Sequence, residues 1–109
     1  MPLKFHEFKG EPKLEACLVS DPAHITPGAQ GPHVAKIQKA LIMLGAGTID
    51  AGEIGAAKYG ASTARTVKAY KASRKIINKA YQQSADDIVG KMTMAALDEE
   101  MAKYAPVPW

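Results

Sequence analysis

Three histidines, His6, His24 and His33, and a single thiol, Cys17, are the side chains best suited to metal ligation or nucleophilic chemistry. Their spacing supports neither. A helical zinc site needs ligands about one turn apart, whereas these histidines fall in separate segments with no carboxylate paired at ligand spacing. Cys17 has no second cysteine to bond and no base beside it in sequence, so it reads as a small buried hydrophobe. No Gly-x-Ser-x-Gly or Cys–His pattern is present. Asp86 and Asp87 remain, since a glycosidase sets two carboxyl groups about one sugar. Adjacent on a turn just ahead of a helix, they are better placed to complement the helix dipole. The chain is therefore expected to be non-catalytic, with no metal and no cofactor.

Cations offer a second kind of chemistry. Arg65, Lys68, Lys71, Arg74, Lys75 and Lys79 form a stretch with no acid among them, and Lys68, Lys71 and Lys75 fall on one predicted helix face. A solvated stripe is the expected outcome. Nucleic acid is disfavoured, because no exposed aromatics are interleaved and Asp98-Glu99-Glu100 offsets the charge. A net charge of +3 is compatible with anionic polymers without specifying one.

The elements that position these groups follow from composition and periodicity. A chain of 109 residues suits one domain. It is 47% hydrophobic but only 6% aromatic, which favours small helices packed closely over a β-sandwich. Val34, Ile37, Leu41 and Leu44 recur at helical spacing, with Pro32 suited to a first helical position and Gly45 to a stop. A second helix is predicted from near Ser62, its expected N-cap, to about Lys75, with Ala64, Val67 and Tyr70 facing inward. A third runs from about Lys91 to Tyr104 on Met94, Leu97, Met101 and Tyr104. One helical turn fits Lys13–Val19, and another fits residues 51–58. Met43, Met92, Met94 and Met101 read as core filler, and Tyr81 and Trp109 as exposed contacts. Pro106 ends any helix in the tail.

A repeat ties these helices together. Tyr59-Gly60-Ala61-Ser62-Thr63 and Val89-Gly90-Lys91-Met92-Thr93 share an apolar residue, a glycine, two residues and a threonine, each followed by an amphipathic helix. Glycine permits a sharp entry into the helix, and the threonine hydroxyl can bond within the first turn. Gly31, Val34, Ile37, Gln38 and Leu41 precede both units. This order, with Asp86, Ile88, Val89, Ala96 and Leu97, resembles the peptidoglycan-binding-like domain family over about residues 31–104. Lys71 stands where that family carries Gln, and Asp87 where it carries Gly. The segments before Tyr59 and before Asp86 are longer than in the family pattern.

The resemblance implies an all-α fold: a three-helix bundle of the peptidoglycan-binding-like type over 31–104, with an irregular N-terminal arm (1–30) and a Pro-rich tail (105–109). The arm is expected to lie over the bundle through Leu14, Leu18 and Ile25. The implied function is non-catalytic recognition of bacterial cell-wall peptidoglycan, through its glycan or its stem peptide, beside a cell-wall hydrolase. The alternative is an adaptor or cargo of a bacterial secretion system that reuses the fold without glycan affinity. Binding is expected along the loops preceding the second and third helices, through Ser62, Arg65, Asp87, Lys91 and Thr93. Residues 1–10 lack the apolar core of a signal peptide, so synthesis in the cytoplasm is expected, with any periplasmic or extracellular site reached by another route. No run suggests membrane insertion.

Overall fold

Apolar residues at helical spacing become five helices in the computed structural model, which describes residues 3–19, 24–74, 76 and 87–103. They are α1 (Pro12–Val19), α2 (Pro32–Met43), α3 (Ala51–Ala56), α4 (Ala61–Ser73) and α5 (Lys91–Lys103). The described residues contain no β-strand, only two isolated antiparallel bridges. None of these helices is long and apolar enough to cross a membrane.

In α2, Val34, Ile37 and Leu41 form the expected buried stripe, and Pro32 occupies the first turn. The helix stops as its sequence requires. Gly45 takes a φ of 73°, its N–H donates to the Ile42 carbonyl, and Ala46 N–H donates to the Leu41 carbonyl. These two bonds satisfy carbonyls that a helix end otherwise leaves open. Val67 and Tyr70 face inward from α4, and Met94, Leu97 and Met101 from α5. Helix α2 packs against both α4 and α5, while α1 packs against α5.

The segment ahead of α2 departs from the expected irregular overlay. Leu14 and Ile25 are buried and Leu18 is half-buried, as anticipated, but Leu3, Phe5, Phe8 and Cys17 join the same core. The Phe5 and Phe8 rings meet edge to face, with centroids 5.0 Å apart and planes at 82°. Helix α1 spans 8 residues, more than the single turn its sequence suggests. Asp98 of α5 fixes the start of this segment by accepting from the Phe5 N–H at 2.8 Å and the Lys4 N–H at 3.0 Å.

Three side-chain expectations are corrected. Met43 and Met92 are 47% and 58% exposed, because both lie off the inward stripes of their helices. Lys71 is only 6% exposed, so it is not part of a solvated stripe. It follows Val67 by four positions, which turns it inward, and its Nζ donates to the Ile88 carbonyl at 2.9 Å. Ile76 is buried; Lys75, Ile77, Tyr81, Asp86, Tyr104 and Trp109, with the 78–85 connection and the 105–109 tail, lie outside the described residues.

Residues 24–31 form a strap across both loops that lead into the last two long helices. Ile25 and Val89 exchange backbone hydrogen bonds at 2.9 Å in each direction. Three residues on, Gly28 N–H donates to the Tyr59 carbonyl, Tyr59 N–H to the Ala29 carbonyl, and Gly31 N–H to the Ala57 carbonyl. The two loops are also joined directly, since the Tyr59 hydroxyl donates to the Asp87 carbonyl.

Candidate functional site

Helix α4 begins at Gly60, which has no side chain with which to cap the first free N–H groups. Glu53 does so from α3. Its carboxylate accepts from Gly60 N (3.1 Å), Ser62 N (3.0 Å) and Thr63 N (2.9 Å), and from the Ser62 and Thr63 hydroxyls at 2.6 and 2.7 Å. Burial opposes ionisation of this carboxyl, but the hydrogen bonds from Ser62 and Thr63 outweigh it and hold the pKa at about 2. The negative charge also sits at the positive end of the helix dipole.

Gln38 completes the arrangement from α2. Its Nε2 donates to the Thr63 hydroxyl and to the Lys58 carbonyl, both at 3.0 Å. The Ser62 hydroxyl in turn accepts from the Asp50 N–H at 2.9 Å. The N-terminal half of short helix α3 is thereby fastened to the start of α4, which fixes the loop entering α4. Ser62 is therefore not the N-cap: Gly60 is, and Ser62 lies two residues into the helix as a partner of Glu53.

Beside this fastened junction lies an open groove of about 450 Å³. Pro27 of the strap, Tyr59, Gly60, Ala61 and Ala64 line it with small or buried groups, while Arg65, Lys68 and Asp87 bring charge. Arg65 and Lys68 are exposed, one turn apart on α4, and Asp87 faces them from the loop before α5. Tyr59 is only 1% exposed, so its ring forms wall rather than platform.

The five residues expected to contact a ligand are thus divided. Arg65 and Asp87 come together at the groove, although they are 22 positions apart in the chain. Ser62 and Thr93 are 2% and 1% exposed, which withdraws both hydroxyls from the surface. Lys91 is exposed at the start of α5 and does not line the groove. Sequence reasoning missed Lys68 as a groove residue, though its spacing of three from Arg65 was visible. It also missed Glu53, whose role depends on a fold that returns α3 to the start of α4.

A second cavity, of about 610 Å³, lies between α1 and the strap, lined by Lys13, Ala16, His24, Ile25 and His33 among others. His33 is 4% exposed, and burial followed by nearby Lys13 lowers its pKa below the ordinary imidazole value. Neutral imidazole is thereby favoured at His33. Cys17 is buried with its thiol donating to the Val89 carbonyl at 3.2 Å. Burial raises its pKa to about 11, against a smaller opposing effect of the Ile25 backbone, so it is a poor nucleophile. Among the described residues, no group of three histidine, cysteine or carboxylate side chains is arranged to hold a metal ion.

At the far end of α4, Arg74 pairs with Glu100 of α5 through Nη2 (2.6 Å) and Nε (3.1 Å), its guanidinium lies 4.4 Å from the Tyr70 ring centre, and the Tyr70 hydroxyl donates to Glu100. The Arg74 bonds hold the Glu100 carboxyl below its ordinary pKa. These contacts join the end of α4 to α5.

No protein-family model, curated protein or solved structure matches this chain.

Proposed function

We propose that this protein is a non-catalytic peptidoglycan-binding module, in which α2, α4 and α5 form a three-helix bundle of the peptidoglycan-binding-like type and residues 3–19, with Ile25, are an added, integral part of its core. The groove carries the proposal. It lies at the first Gly-x-x-Thr junction, where the chain resembles that family, and it combines small apolar lining with Arg65, Lys68 and Asp87. Two further features support the bundle. Gln38 of α2 reaches the loop before α4, and Lys71 of α4 reaches the loop before α5, so each helix holds the entrance of the next. Lys71 thus does at the second junction what Gln38 does at the first. This accounts physically for a lysine at the position where the family carries Gln.

Recognition is by contact alone. A shallow groove with a few charged groups at its edge gives modest affinity, which becomes useful when the module is joined to or assembled with an effector such as a cell-wall hydrolase. The test is co-sedimentation of the purified protein with insoluble peptidoglycan sacculi at low and near-physiological salt. Saturable pelleting that survives salt and is lost in an Arg65→Ala/Lys68→Ala variant is expected. Absence of pelleting, or its loss at modest salt in the unmodified protein, would overturn the proposal and favour a secretion-system adaptor without glycan affinity.

A further inference from the structure

We infer that the groove takes the stem peptide of peptidoglycan rather than its sugar backbone, and that it recognises a ligand carrying both carboxylate and amine. The inference rests on the wall-binding proposal. Its observation is the pairing state of the ionic side chains. Several ionic groups elsewhere in the fold are engaged: Glu53 by α4, Asp98 by the Lys4 and Phe5 N–H groups, Lys71 by the Ile88 carbonyl, and Arg74 by Glu100. Arg65, Lys68 and the Asp87 carboxylate make no ion pair or side-chain hydrogen bond among the described residues, and all three line the same 450 Å³ space.

Two cations facing one carboxylate across a groove, all uncommitted, complement a chain of alternating charge. A stem peptide supplies carboxylates for Arg65 and Lys68 and an amine for Asp87. Its alanine methyl groups suit a lining of Gly60, Ala61 and Ala64. The amino-sugar backbone offers neutral hydroxyl and amide groups, which leave these charges unmatched. It also gains no stacking surface, because the Tyr59 ring is buried and its hydroxyl is committed to the Asp87 carbonyl. Charges left open in this way set specificity more than affinity.

The test titrates the full chain, followed by amide NMR shifts, with three probes: a synthetic stem tetrapeptide with free carboxylates and a free amine, an N-acetylglucosamine tetramer, and tetraglutamate. Sacculus pelleting is run in parallel. The expected result is saturable binding of the stem peptide, with shifts at Arg65 and Lys68, and much weaker binding of the other two. Arg65→Ala and Asp87→Asn should each weaken stem-peptide binding about three- to tenfold, the effect of one charged contact. Neither side chain is bonded within the fold, so both variants should fold, which circular dichroism checks. Binding of the sugar tetramer in place of the peptide overturns the inference and leaves the wall proposal standing. Equal binding of tetraglutamate also overturns it, by reducing the groove to a patch of positive charge. Failure of all three probes while sacculi still pellet has the same effect, whereas failure of sacculi as well removes the wall proposal too.

Discussion

The two Gly-x-x-Thr junctions look alike in sequence and are completed differently in space. At Gly60–Thr63, one carboxylate from α3 accepts from three backbone N–H groups and two hydroxyls, and Gln38 donates to the same threonine. At Gly90–Thr93, no carboxylate among the described residues accepts from Gly90, Met92 or Thr93. The Thr93 hydroxyl is buried with no hydrogen-bond partner among the described residues. The glycines differ in the same sense. A Cβ on Gly60 would fall 2.7 Å from the Glu53 carboxyl carbon, whereas one on Gly90 would meet the His24 ring at 3.1 Å. Repetition of a motif therefore does not repeat its energetics: the first junction is held by a charged cap, the second by backbone pairing with the strap and by Lys71.

Removing the cap is the most direct way to break this comparison. Glu53→Ala leaves several donors of α4 unmatched and should lower stability by about 3 kcal/mol, the scale of losing charge-assisted bonds at a helix start. In thermal unfolding this corresponds to a fall in Tm of about 15 °C. A change of only a degree or two would show that water replaces the carboxylate without penalty.

The glycines provide the next contrast. Gly60→Ala must push Glu53 off its partners and should cost about 2 kcal/mol, while Gly90→Ala meets the exposed His24 ring rather than a capping carboxylate and should cost under about 1 kcal/mol. Urea unfolding of the two variants side by side checks the order. Equal losses would mean that the glycines are needed for the turn itself.

The threonines should differ in sign. Thr63→Val deprives Gln38 and Glu53 of a partner and is expected to destabilise by about 1–2 kcal/mol. Thr93→Val replaces a buried hydroxyl that bonds nothing, and is expected to be neutral or to stabilise by up to about 1 kcal/mol. Destabilisation by Thr93→Val of the size seen at Thr63 would show that the hydroxyl has a partner in solution.

Acid sharpens the comparison further. The Glu53 pKa falls from an ordinary 4.5 to about 2 on folding, so the folded chain binds this proton less readily than the unfolded one. Its contribution is complete above pH 4.5 and is lost as the pH falls towards 2. The urea midpoint should decline across this window, and Glu53→Gln should make the decline shallower. The smallest effect on stability belongs to the groove: Arg65→Ala/Lys68→Ala should leave Tm within about 2 °C while removing sacculus binding, because neither side chain is bonded in the fold.

What was legible in the sequence follows from how local each interaction is. The stripes of α2, α4 and α5 repeat within a few turns, so the helices and their ends could be read to within a residue or two, including the stop at Gly45. Lys71 and Asp98 carried a readable signal that composition hid. Each follows one core residue by four positions and another by one, which places a charge on the buried side. Phe5 and Phe8 had no periodic setting, and their burial depends on α1 and α5 closing over them. Glu53 looked like an ordinary residue of a polar turn, because its partners lie 7 to 10 positions away around a loop. The groove was legible only in part for the same reason. Arg65 and Asp87 were named from their loops, but only the fold sets them across one space and draws Ser62 and Thr93 inside.

The Asp98 carboxylate that accepts from Lys4 and Phe5 joins positions 94 and 93 residues apart. On the ribosome, Lys4 and Phe5 emerge well before their anchor does. Leu3, Phe5 and Phe8 then wait for α5 to clear the exit tunnel, so the fold closes only once α5 has been made. A pause in translation ahead of α5 should therefore leave a nascent chain with its aromatic residues open to chaperones, whereas a pause after α5 has emerged should not.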